Sequence, residues 1–521
     1  IESRNQLNIK FVGTNYRIMK ILPIDKVREA DAYTIKHEPI DSIELMERAA
    51  RECFNWIYQY LKRGQVVKIF AGLGNNGGDG LAIGRLLARQ NVRVQIFIIR
   101  YSEKMSDDFR INLERLGRFP DVQLADLHED DQFPEIDKHD LVVDAIFGSG
   151  LSGPVKGFVA KVIKHLNTSK ATLIAVDIPT GMYADASSSN LGGAIIKANY
   201  TLSFQFPKYA FLFPENEQYV GIWEILPIGL HPDFIKSVDV KNYLLTRTDI
   251  LESLIKRTKF SHKGTYGHAL LIAGGYGKMG ASVLASRACL RSGVGLLTTH
   301  IPGKGYEILQ TTIPEAMVSI DPSDEFFSEQ PNLQPFDAVG VGPGIGTSDE
   351  TANALKVLIQ NTGAPILFDA DAINILGENK TWISFVPRLS IFTPHPREFE
   401  RITEKVSDDY ERIELQRAFS IKHSVYVVLK GANTSISCPD GICYFNTTGN
   451  PGMAVAGSGD VLTGIILGLM AQGYSPKESA IMGVYLHGVA GDHAARKTGI
   501  ESMIAGDIVE NLGRAFKTVK R

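Results

Sequence analysis

The chain has 521 residues, of which 44% are hydrophobic and 22% charged, and its formal net charge is −3 at pH 7. This length exceeds one ordinary core and the charge provides no basic field for nucleic acid, so we expect two large domains and no nucleic-acid partner. The four cysteines show no CxxC pairing, no apolar run reaches the roughly 18 residues of a membrane span, and the first residues lack the apolar region of a signal peptide. We therefore expect a cytoplasmic protein without a membrane partner.

The chain begins at Ile1 and not at a methionine. We take Met19 as the natural start and assign residues 1–18 no function. A stretch punctuated by proline and glycine at 226–241 interrupts the periodic patterns and predicts a domain boundary. The predicted domains are 19–232 and 233–521.

In the first half, apolar strand-like runs alternate with helical patterns. Strands are predicted at 66–71, 94–99, 141–146, 172–177 and 201–206, with helices at 81–89 and 155–166. Short connections and mostly apolar strands indicate a parallel sheet covered on both faces. This half is therefore predicted to be a Rossmann-like, doubly wound α/β domain.

The run GLGNNGGDG follows the first predicted strand. Its spacing satisfies GxGxxG, the dinucleotide fingerprint of redox enzymes, but the next strand ends in Arg100, where that fingerprint has an acidic residue. An arginine could contact a 2′-phosphate instead, so a redox Rossmann domain is a weaker alternative. Asn75, Asn76 and Asp79 add polar groups that phosphate binding does not need, which favours a cation or a polar ring as ligand. The alternative is that the two amides stabilise the turn through local hydrogen bonds.

Two further polar loops follow predicted strands. Asp144 lies within the strand at 141–146, which the flexible loop GSGLSG follows, and Asp177 ends the strand at 172–177, before the residues PTG. Either aspartate alone is more often a cap or a hydrogen-bond acceptor than a catalyst. Because ligands collect at the carboxyl ends of parallel strands, three such loops at one edge favour a functional site.

The strings NNGGDG, VVDAIFGSGLSGP and VDIPTG together resemble the YjeF N-terminal domain, the NAD(P)H-hydrate epimerase. The resemblance implies interconversion of the R and S forms of hydrated NADH or NADPH, with Asp177 as the acid/base and a potassium ion assisting. A carboxylate can shuttle the proton that opening at C6 requires. The implied potassium ligands are Asn76, Asp144 and Thr180. The implied substrate contacts are Asn75, Asn76, Gly77, Gly78, Asp79, Gly148, Ser149, Gly150, Leu151, Ser152, Gly153, Pro154 and Asp177.

The second half has its own series of α/β patterns. Strands are predicted at 269–273, 338–341, 366–369, 389–393 and 425–430, a small-residue helix is predicted to begin at Gly280, and a helix rich in alanine and glycine closes the series at 479–497. No period of solenoid length appears, so the two halves are predicted to be different domains.

The run NPGMAVAGSGD ends at Asp460 and precedes an apolar helical pattern. Gly457 and Gly459 allow backbone N–H groups to turn toward one point, and the helix adds the positive end of its dipole. The run therefore predicts an anion cradle with a carboxylate beside it. The alternative is that Asp460 only caps the helix.

This run and the strings HALLIAGGYGKMG, VGVGPGIG, TPHPREFERIT and LKGANTSI resemble the YjeF C-terminal domain, the ribokinase-like NAD(P)H-hydrate dehydratase. The resemblance implies that ADP or ATP, with Mg²⁺, phosphorylates the C6 hydroxyl of the S hydrate, that Asp460 is the base, and that phosphate then leaves. The implied hydrate contacts are Ala281, Gly344, His395 and Asp460. The implied nucleotide contacts are Lys430, Gly431, Ala432, Asn433, Thr434 and Gly459.

The sequence thus favours a bifunctional repair enzyme that binds small molecules and forms a homo-oligomer. A ribokinase-like small-molecule kinase fused to a nucleotide-binding module would share the GSGD chemistry but release a stable phosphorylated product. A binding protein that kept the fold and lost the activity is the third hypothesis, although intact Asp177 and Asp460 argue against it.

Overall fold

A computed structural model describes residues 19–188 and 192–521, and the predicted extension at 1–18 lies outside this part of the chain. The described chain divides into two compact units: the first is Lys20–Val240, and the second is Lys241–Arg521 together with Met19. The division lies inside the interrupted stretch at 226–241 and C-terminal to the predicted boundary at 232/233. A helix that the sequence analysis did not predict occupies part of this stretch, at Pro232–Ser237.

The first unit contains one seven-stranded sheet and helices on its two faces. The described chain begins with the short strand β1 (Met19–Lys20), and the strands of this sheet are β2 (Val67–Ala71), β3 (Val94–Ile99), β4 (Gln123–Leu127), β5 (Leu141–Ala145), β6 (Thr172–Val176), β7 (Tyr200–Phe204) and β8 (Ile222–Leu226). The helices are α1 (Ile24–His37), α2 (Ser42–Tyr60), α3 (Asn75–Ala88), α4 (Asp107–Leu116), α5 (Gly157–Thr168), α6 (Glu217–Val220) and α7 (Pro232–Ser237).

The sheet is parallel throughout, in the order β4-β3-β2-β5-β6-β7-β8. Alternate side chains of β2 enter different apolar clusters, since Ile69 packs with one and Phe70 with the other. The predicted parallel sheet with both faces covered is therefore confirmed. The chain adds strands outward from β2 and then returns to place β5 on its other side, which creates a topological switch point between β2 and β5.

The second unit is built on a second, larger sheet. Its strands are β9 (Asn242–Leu244), β10 (His268–Ile272), β11 (Leu296–Ile301), β12 (Met317–Ile320), β13 (Ala338–Val341), β14 (Ile366–Phe368), β15 (Ile391–Phe392), β16 (Tyr426–Leu429), β17 (Ser435–Ser437) and β18 (Cys443–Phe445). Its helices are α8 (Arg247–Ser253), α9 (Met279–Arg291), α10 (Tyr306–Thr312), α11 (Asp349–Asn361), α12 (Ala370–Glu378), α13 (Pro396–Ile402), α14 (Asp409–His423), α15 (Ser458–Ala471), α16 (Pro476–Thr498) and α17 (Ala505–Lys520).

These strands follow the order β9-β18-β17-β16-β15-β14-β13-β10-β11-β12. Strands β10 to β16 are parallel, and β17 runs antiparallel to both of its neighbours. Helix α15 is apolar on every side and buried along nearly its whole length, where it packs against α9. A helix of this kind belongs to the interior of a domain.

Several predicted element limits differ from the structure for backbone reasons. The strand predicted at 201–206 ends at Phe204, because Gln205 adopts a left-handed conformation (φ 57°). The strand predicted at 389–393 is reduced to Ile391–Phe392, since Leu389 is also left-handed (φ 65°). The helix predicted at 81–89 begins earlier, at Asn75, so the two asparagines of NNGGDG lie in its first turn and not in a loop.

The four cysteines are free and buried. In the described ranges, no helix combines the length and the apolar character that crossing a bilayer requires.

Candidate active sites

A cavity of about 550 Å³ opens at the switch point of the first unit, beyond the carboxyl ends of its strands. The three polar loops that the sequence singled out border this cavity together. Of the predicted substrate contacts, it brings together Asn75, Asn76, Asp79, Gly148, Ser149, Gly150, Leu151, Ser152 and Asp177. Their convergence follows from the parallel sheet, whose carboxyl ends meet at one edge.

Gly77, Gly78, Gly153 and Pro154 are not among the residues that border the cavity. A Cβ on Gly77 would come within 1.9 Å of the carbonyl oxygen of Gly72, and one on Gly78 would meet Met46. The first two glycines thus allow α3 to pack closely against the turn before it and against α2.

Asn76 is buried, and neither its Oδ1 nor its Nδ2 has a hydrogen-bond partner in the protein. Leaving a buried polar group unsatisfied costs about 1–3 kcal/mol. The alternative that this amide stabilises the turn is therefore not what the structure shows. Its amide oxygen is free to contact a bound cation or ligand.

Asp144 is fully buried in β5 and is bound by Thr180 from the next loop. Its Oδ1 accepts a hydrogen bond from Thr180 Oγ1 (2.7 Å), and its Oδ2 accepts one from Thr180 N (2.8 Å). Burial raises the pKa of Asp144 to about 6, against the effect of these hydrogen bonds. The three predicted potassium ligands thus consist of one tightly bonded pair, Asp144 and Thr180, and one unsatisfied amide, Asn76.

Asp177 follows β6 directly and adopts a left-handed conformation (φ 66°), which is uncommon for a residue other than glycine. Its Oδ2 accepts a hydrogen bond from Ser149 N (3.0 Å), and its Oδ1 pairs with Lys208 Nζ at 2.8 Å. Burial raises the pKa of Asp177, but Lys208 and Ser149 outweigh it and the pKa lies below its ordinary value. Asp177 is therefore a carboxylate at neutral pH.

Sequence reasoning missed three charged residues that border this cavity: Arg28 and Asp31 on α1, and Lys208 after β7. The side chain of Lys208 is only 2% exposed. Lysines are almost never fully buried unless they are paired. The lone lysine between the apolar runs FQF and YAFLF was therefore a signal that a carboxylate had to lie nearby.

In the second unit, α15 begins at Ser458 after Gly457, which is left-handed (φ 87°). Asp460 lies in the first turn of the helix, and no side chain caps the helix. The alternative reading of Asp460 as a cap is thus excluded by the structure. The first turn leaves N–H groups without helical partners, and these add to the positive end of the dipole.

Lys430 follows β16, and its side chain reaches the first turn of α15. Its Nζ pairs with Asp369 Oδ1 at 2.9 Å and lies 3.4 Å from the position that a Cβ on Gly459 would take. Burial would lower the pKa of Lys430, but Asp369 and Glu398 raise it above its ordinary value. A permanent cation therefore stands beside the predicted anion cradle.

Asp460 is largely enclosed by these groups. Burial raises the pKa of Asp460 to about 7, Asp369 and Asp371 add to this effect, and Lys430 opposes it. A carboxyl group with a pKa near neutrality exchanges protons efficiently with a substrate hydroxyl. The environment of Asp460 thus favours proton exchange near neutral pH.

His395 is the N-cap of α13 and not a free loop residue. Its Nδ1 accepts hydrogen bonds from Arg397 N (3.1 Å) and Glu398 N (3.2 Å), and the Glu398 carboxylate accepts one from His395 N. Burial lowers the pKa of His395. The ring is therefore neutral, and its remaining proton resides on Nε2.

The other predicted contacts of this site form two local groups. Gly344 is left-handed (φ 69°), and a Cβ there would lie 3.2 Å from Ala281 Cβ. Gly431 and Thr434 close a turn on each other, because Gly431 N donates to Thr434 Oγ1 and that hydroxyl donates to Gly431 O. Ala432 and Asn433 lie between these two residues in the turn.

Sequence reasoning missed two acidic residues, Asp369 and Glu398. Asp369 is buried and also accepts a hydrogen bond from Thr463 Oγ1 (2.7 Å). Sequence reasoning also missed the ion pair of Lys278 with Asp371 (3.2 Å). Asp369 directly follows β14, as Asp177 follows β6. A carboxylate after a buried strand was the signal that would have found it.

Within the described residues, no group of three or more His, Cys, Asp and Glu side chains is arranged to hold a metal ion. The predicted potassium ligands Asn76 and Thr180 carry amide and hydroxyl oxygens and lie outside such groups.

Two family models match the two units separately. One is described as the YjeF-related protein N-terminus and matches residues 42–210, and the other is described as NAD(P)H-hydrate dehydratase and matches residues 269–514. A bifunctional NAD(P)H-hydrate repair enzyme of Moorella thermoacetica is 35% identical, and the match covers 96% of this chain and 97% of that protein. The chain belongs to the bifunctional NAD(P)H-hydrate repair enzyme family. The resemblance inferred from the motifs, and with it the α/β fold class with a Rossmann-like and a ribokinase-like unit, is confirmed.

Another member of the family, from Escherichia coli, is 30% identical over 90% of this chain and 89% of its own length. Among solved structures, an ADP/ATP-dependent NAD(P)H-hydrate dehydratase from Bacillus subtilis, co-crystallized with ATP/Mg²⁺, is 29% identical. It covers 53% of this chain and 97% of its own, with a TM-score of 0.47.

Proposed function

We propose that this chain repairs hydrated nicotinamide nucleotides with two activities. The first unit epimerises the R and S forms of NADHX or NADPHX, and the second unit dehydrates the S form at the expense of ADP or ATP. The main support for this proposal is that one chain of this family contains both candidate sites. In the first unit Asp177 borders the cavity, and in the second unit Asp460 lies near Lys430 at the start of α15.

In the dehydratase reaction, Asp460 removes the proton of the C6 hydroxyl, whose oxygen attacks the terminal phosphorus of the nucleotide. Lys430 and the N–H groups at Ala456–Gly459 stabilise the transferring phosphoryl group. Phosphate then leaves C6 with the bonding electron pair while the ring nitrogen donates its lone pair, and loss of a C5 proton restores the dihydropyridine. The turn at Lys430–Thr434 binds the nucleotide, which brings Mg²⁺ with it. Ala281, Gly344 and His395 contact the hydrate.

In the epimerase reaction, the carboxylate of Asp177 accepts the proton of the C6 hydroxyl when the hydrate opens. Lys208 keeps this carboxylate ionised, and Ser149 N fixes one of its oxygens. Both contacts hold the base in one orientation at the wall of the cavity.

The residues of the first unit fit a potassium ion in part. The unsatisfied Oδ1 of Asn76 fits a cation ligand, and the buried carboxylate of Asp144 supplies negative charge, while Thr180 Oγ1 is already engaged with Asp144. Hard oxygen ligands of this kind suit such a cation. When bound, potassium would supply positive charge near the substrate and would satisfy the amide oxygen of Asn76.

The decisive test supplies purified R-NADHX or S-NADHX to the chain with Mg²⁺ and either ADP or ATP, and follows the return of NADH. We expect regeneration from both forms. A chain that leaves the S form unchanged is not a dehydratase, and one that releases a stable phosphorylated product is a ribokinase-like kinase. Replacing K⁺ by a bulky organic cation is expected to slow use of the R form alone.

A further inference from the structure

Besides Asp177, the epimerase cavity contains further acidic and basic groups. Asp31 and Arg28 reach the cavity from α1, Lys208 pairs with Asp177, and Asp79 borders the cavity from α3. One carboxylate can accept the hydroxyl proton, but breaking the C6–N1 bond of the hydrate also requires a proton donor for the ring nitrogen. The charged groups around Asp177 are the candidates for that donor.

We propose that Asp31 is the proton donor of the epimerase reaction, acting from α1 on the cavity that Asp177 also borders. This inference rests on the proposed epimerase function. Asp31 borders the same cavity as Asp177 and interacts electrostatically with both Asp177 and Lys208. A base on the end of β6 and an acid on α1 therefore act on the same bound ring.

The proton and electron movements balance without a further reactant. In opening, the C6 hydroxyl proton passes to Asp177, the oxygen electron pair forms the aldehyde, the C6–N1 bond breaks, and N1 takes a proton from Asp31. After rotation of the aldehyde, N1 attacks its opposite face, the N1 proton returns to Asp31, and the oxygen recovers its proton from Asp177. Each residue ends in the state in which it began.

The electrostatic environment of Asp31 supports this role. Burial raises the pKa of Asp31 to about 6, Lys208 lowers it and Asp177 raises it. Asp79, by contrast, is so enclosed that burial, Asp177 and Asp31 raise its pKa well above its ordinary value. An acid that titrates near the working pH both gives and recovers its proton. By the family resemblance, Asp79 is instead a substrate contact.

The test uses the full chain with Asp460→Asn, so that the S form is not consumed, and follows the conversion of R-NADHX to S-NADHX by chromatography. We expect Asp31→Asn to lower kcat by about 100-fold while KM changes less than about twofold, which is within the range of general acid catalysis. In the parent, kcat/KM should fall as pH rises above about 6, because Asp31 must be protonated, and this fall should disappear in Asp31→Asn.

Three further variants separate catalysis from structure. Glu29→Gln removes a carboxylate from the exposed side of the same helix and should leave the rate unchanged. Asp31→Glu keeps the carboxyl group and should retain both the activity and the decrease of kcat/KM above about pH 6. Asp79→Asn should raise KM and leave this decrease of kcat/KM with pH in place. The melting temperature of Asp31→Asn at pH 8 should equal or exceed that of the parent, because a carboxylate with a raised pKa destabilises the folded state once it ionises.

The inference is wrong if Asp31→Asn still shows the decrease of kcat/KM above about pH 6, or if it loses activity only through a higher KM. If Asp31→Asn does not fold, a folded and active Asp31→Glu variant without this decrease of kcat/KM also contradicts the inference. If the parent epimerises R-NADHX no faster than buffer does, both the proposed epimerase function and the inference are wrong. If the parent is active and Asp31→Asn is equally active, only the inference is wrong.

Discussion

At the scale of single residues, both sites place a carboxylate beside a lysine, with opposite consequences. Lys208 pairs directly with Asp177 and helps to lower its pKa. Lys430 pairs with Asp369 instead, and Asp460 is left with burial and two acidic neighbours that raise its pKa to about 7. Direct pairing with Lys208 thus lowers the pKa of Asp177, whereas burial and acidic neighbours raise the pKa of Asp460 against the opposing charge of Lys430.

Asp460→Asn tests the role of the base in the second unit. We expect nucleotide to bind with nearly unchanged affinity, because the backbone cradle and Lys430 remain, while regeneration of NADH from S-NADHX falls by about 10²–10⁴-fold. Steady-state rates and calorimetric titration with the nucleotide measure the two effects separately. Unchanged turnover would show that another group takes the hydroxyl proton.

The pH dependence of the dehydratase follows from the same residue. Because Asp460 must be ionised to accept a proton, kcat/KM with S-NADHX should rise about tenfold per pH unit below about 7 and level off above it. A profile recorded from pH 5 to 9 at saturating nucleotide checks this. A rise of kcat/KM centred near the ordinary pKa of an aspartate would contradict the enclosed environment of Asp460.

The same raised pKa predicts a gain in stability for Asp460→Asn. The folded-state pKa exceeds the unfolded value, so ionisation of Asp460 destabilises the fold increasingly from about pH 4 to 7 and by a constant amount above that. The melting temperature of the variant relative to the parent should therefore grow over this range. A difference that shrinks with rising pH would mean that the folded state favours the charged form.

At the scale of elements, glycines decide how closely α15 approaches α9. A Cβ on Gly464 would come within 2.1 Å of the Ala285 carbonyl oxygen, and Gly513 in α17 is exposed with nothing within 4 Å of its Cβ position. We expect Gly464→Ala to destabilise the second unit by about 1–3 kcal/mol and to impair the dehydratase, since α15 carries Asp460 at its start. Gly513→Ala, the matched control, should stabilise it by about 0.5–1 kcal/mol.

Denaturant unfolding followed by a signal specific to the second unit measures both variants. Equal stability of the two alanine variants would mean that the helices can separate without cost.

The strand and helix alternation of both units was predictable from apolar runs, and the limits at Gln205 and Leu389 were not. A left-handed backbone conformation ends the strand before Gln205 and delays the start of the other strand beyond Leu389, where local propensity alone would extend both.

At the scale of the whole molecule, the two activities are expected to be chemically independent. Asp177→Asn should lose use of R-NADHX beyond its spontaneous rate and keep use of S-NADHX, while Asp460→Asn should lose regeneration from both. A mixture of the two full-length variants should then convert R-NADHX to NADH, because the hydrate passes through solution. Failure of the mixture, with each variant active in its remaining step, would mean that the hydrate must pass within one chain.

The expected homo-oligomer and the cytoplasmic location stay predictions. Sedimentation of the purified chain over a range of concentrations tests the first. Fractionation of the source cells tests the second.

The sequence by itself determined the two α/β units and singled out the polar loops and the carboxylates Asp177 and Asp460 that we propose for catalysis, because glycine-rich turns after apolar strands are local signals. Only the tertiary structure decided what surrounds those carboxylates. Lys208 and Asp369 come from other strand ends, and Asp31 comes from a helix at the start of the chain. Burial and pairing between distant segments set the charge of a carboxyl group, and a linear pattern does not contain these distances.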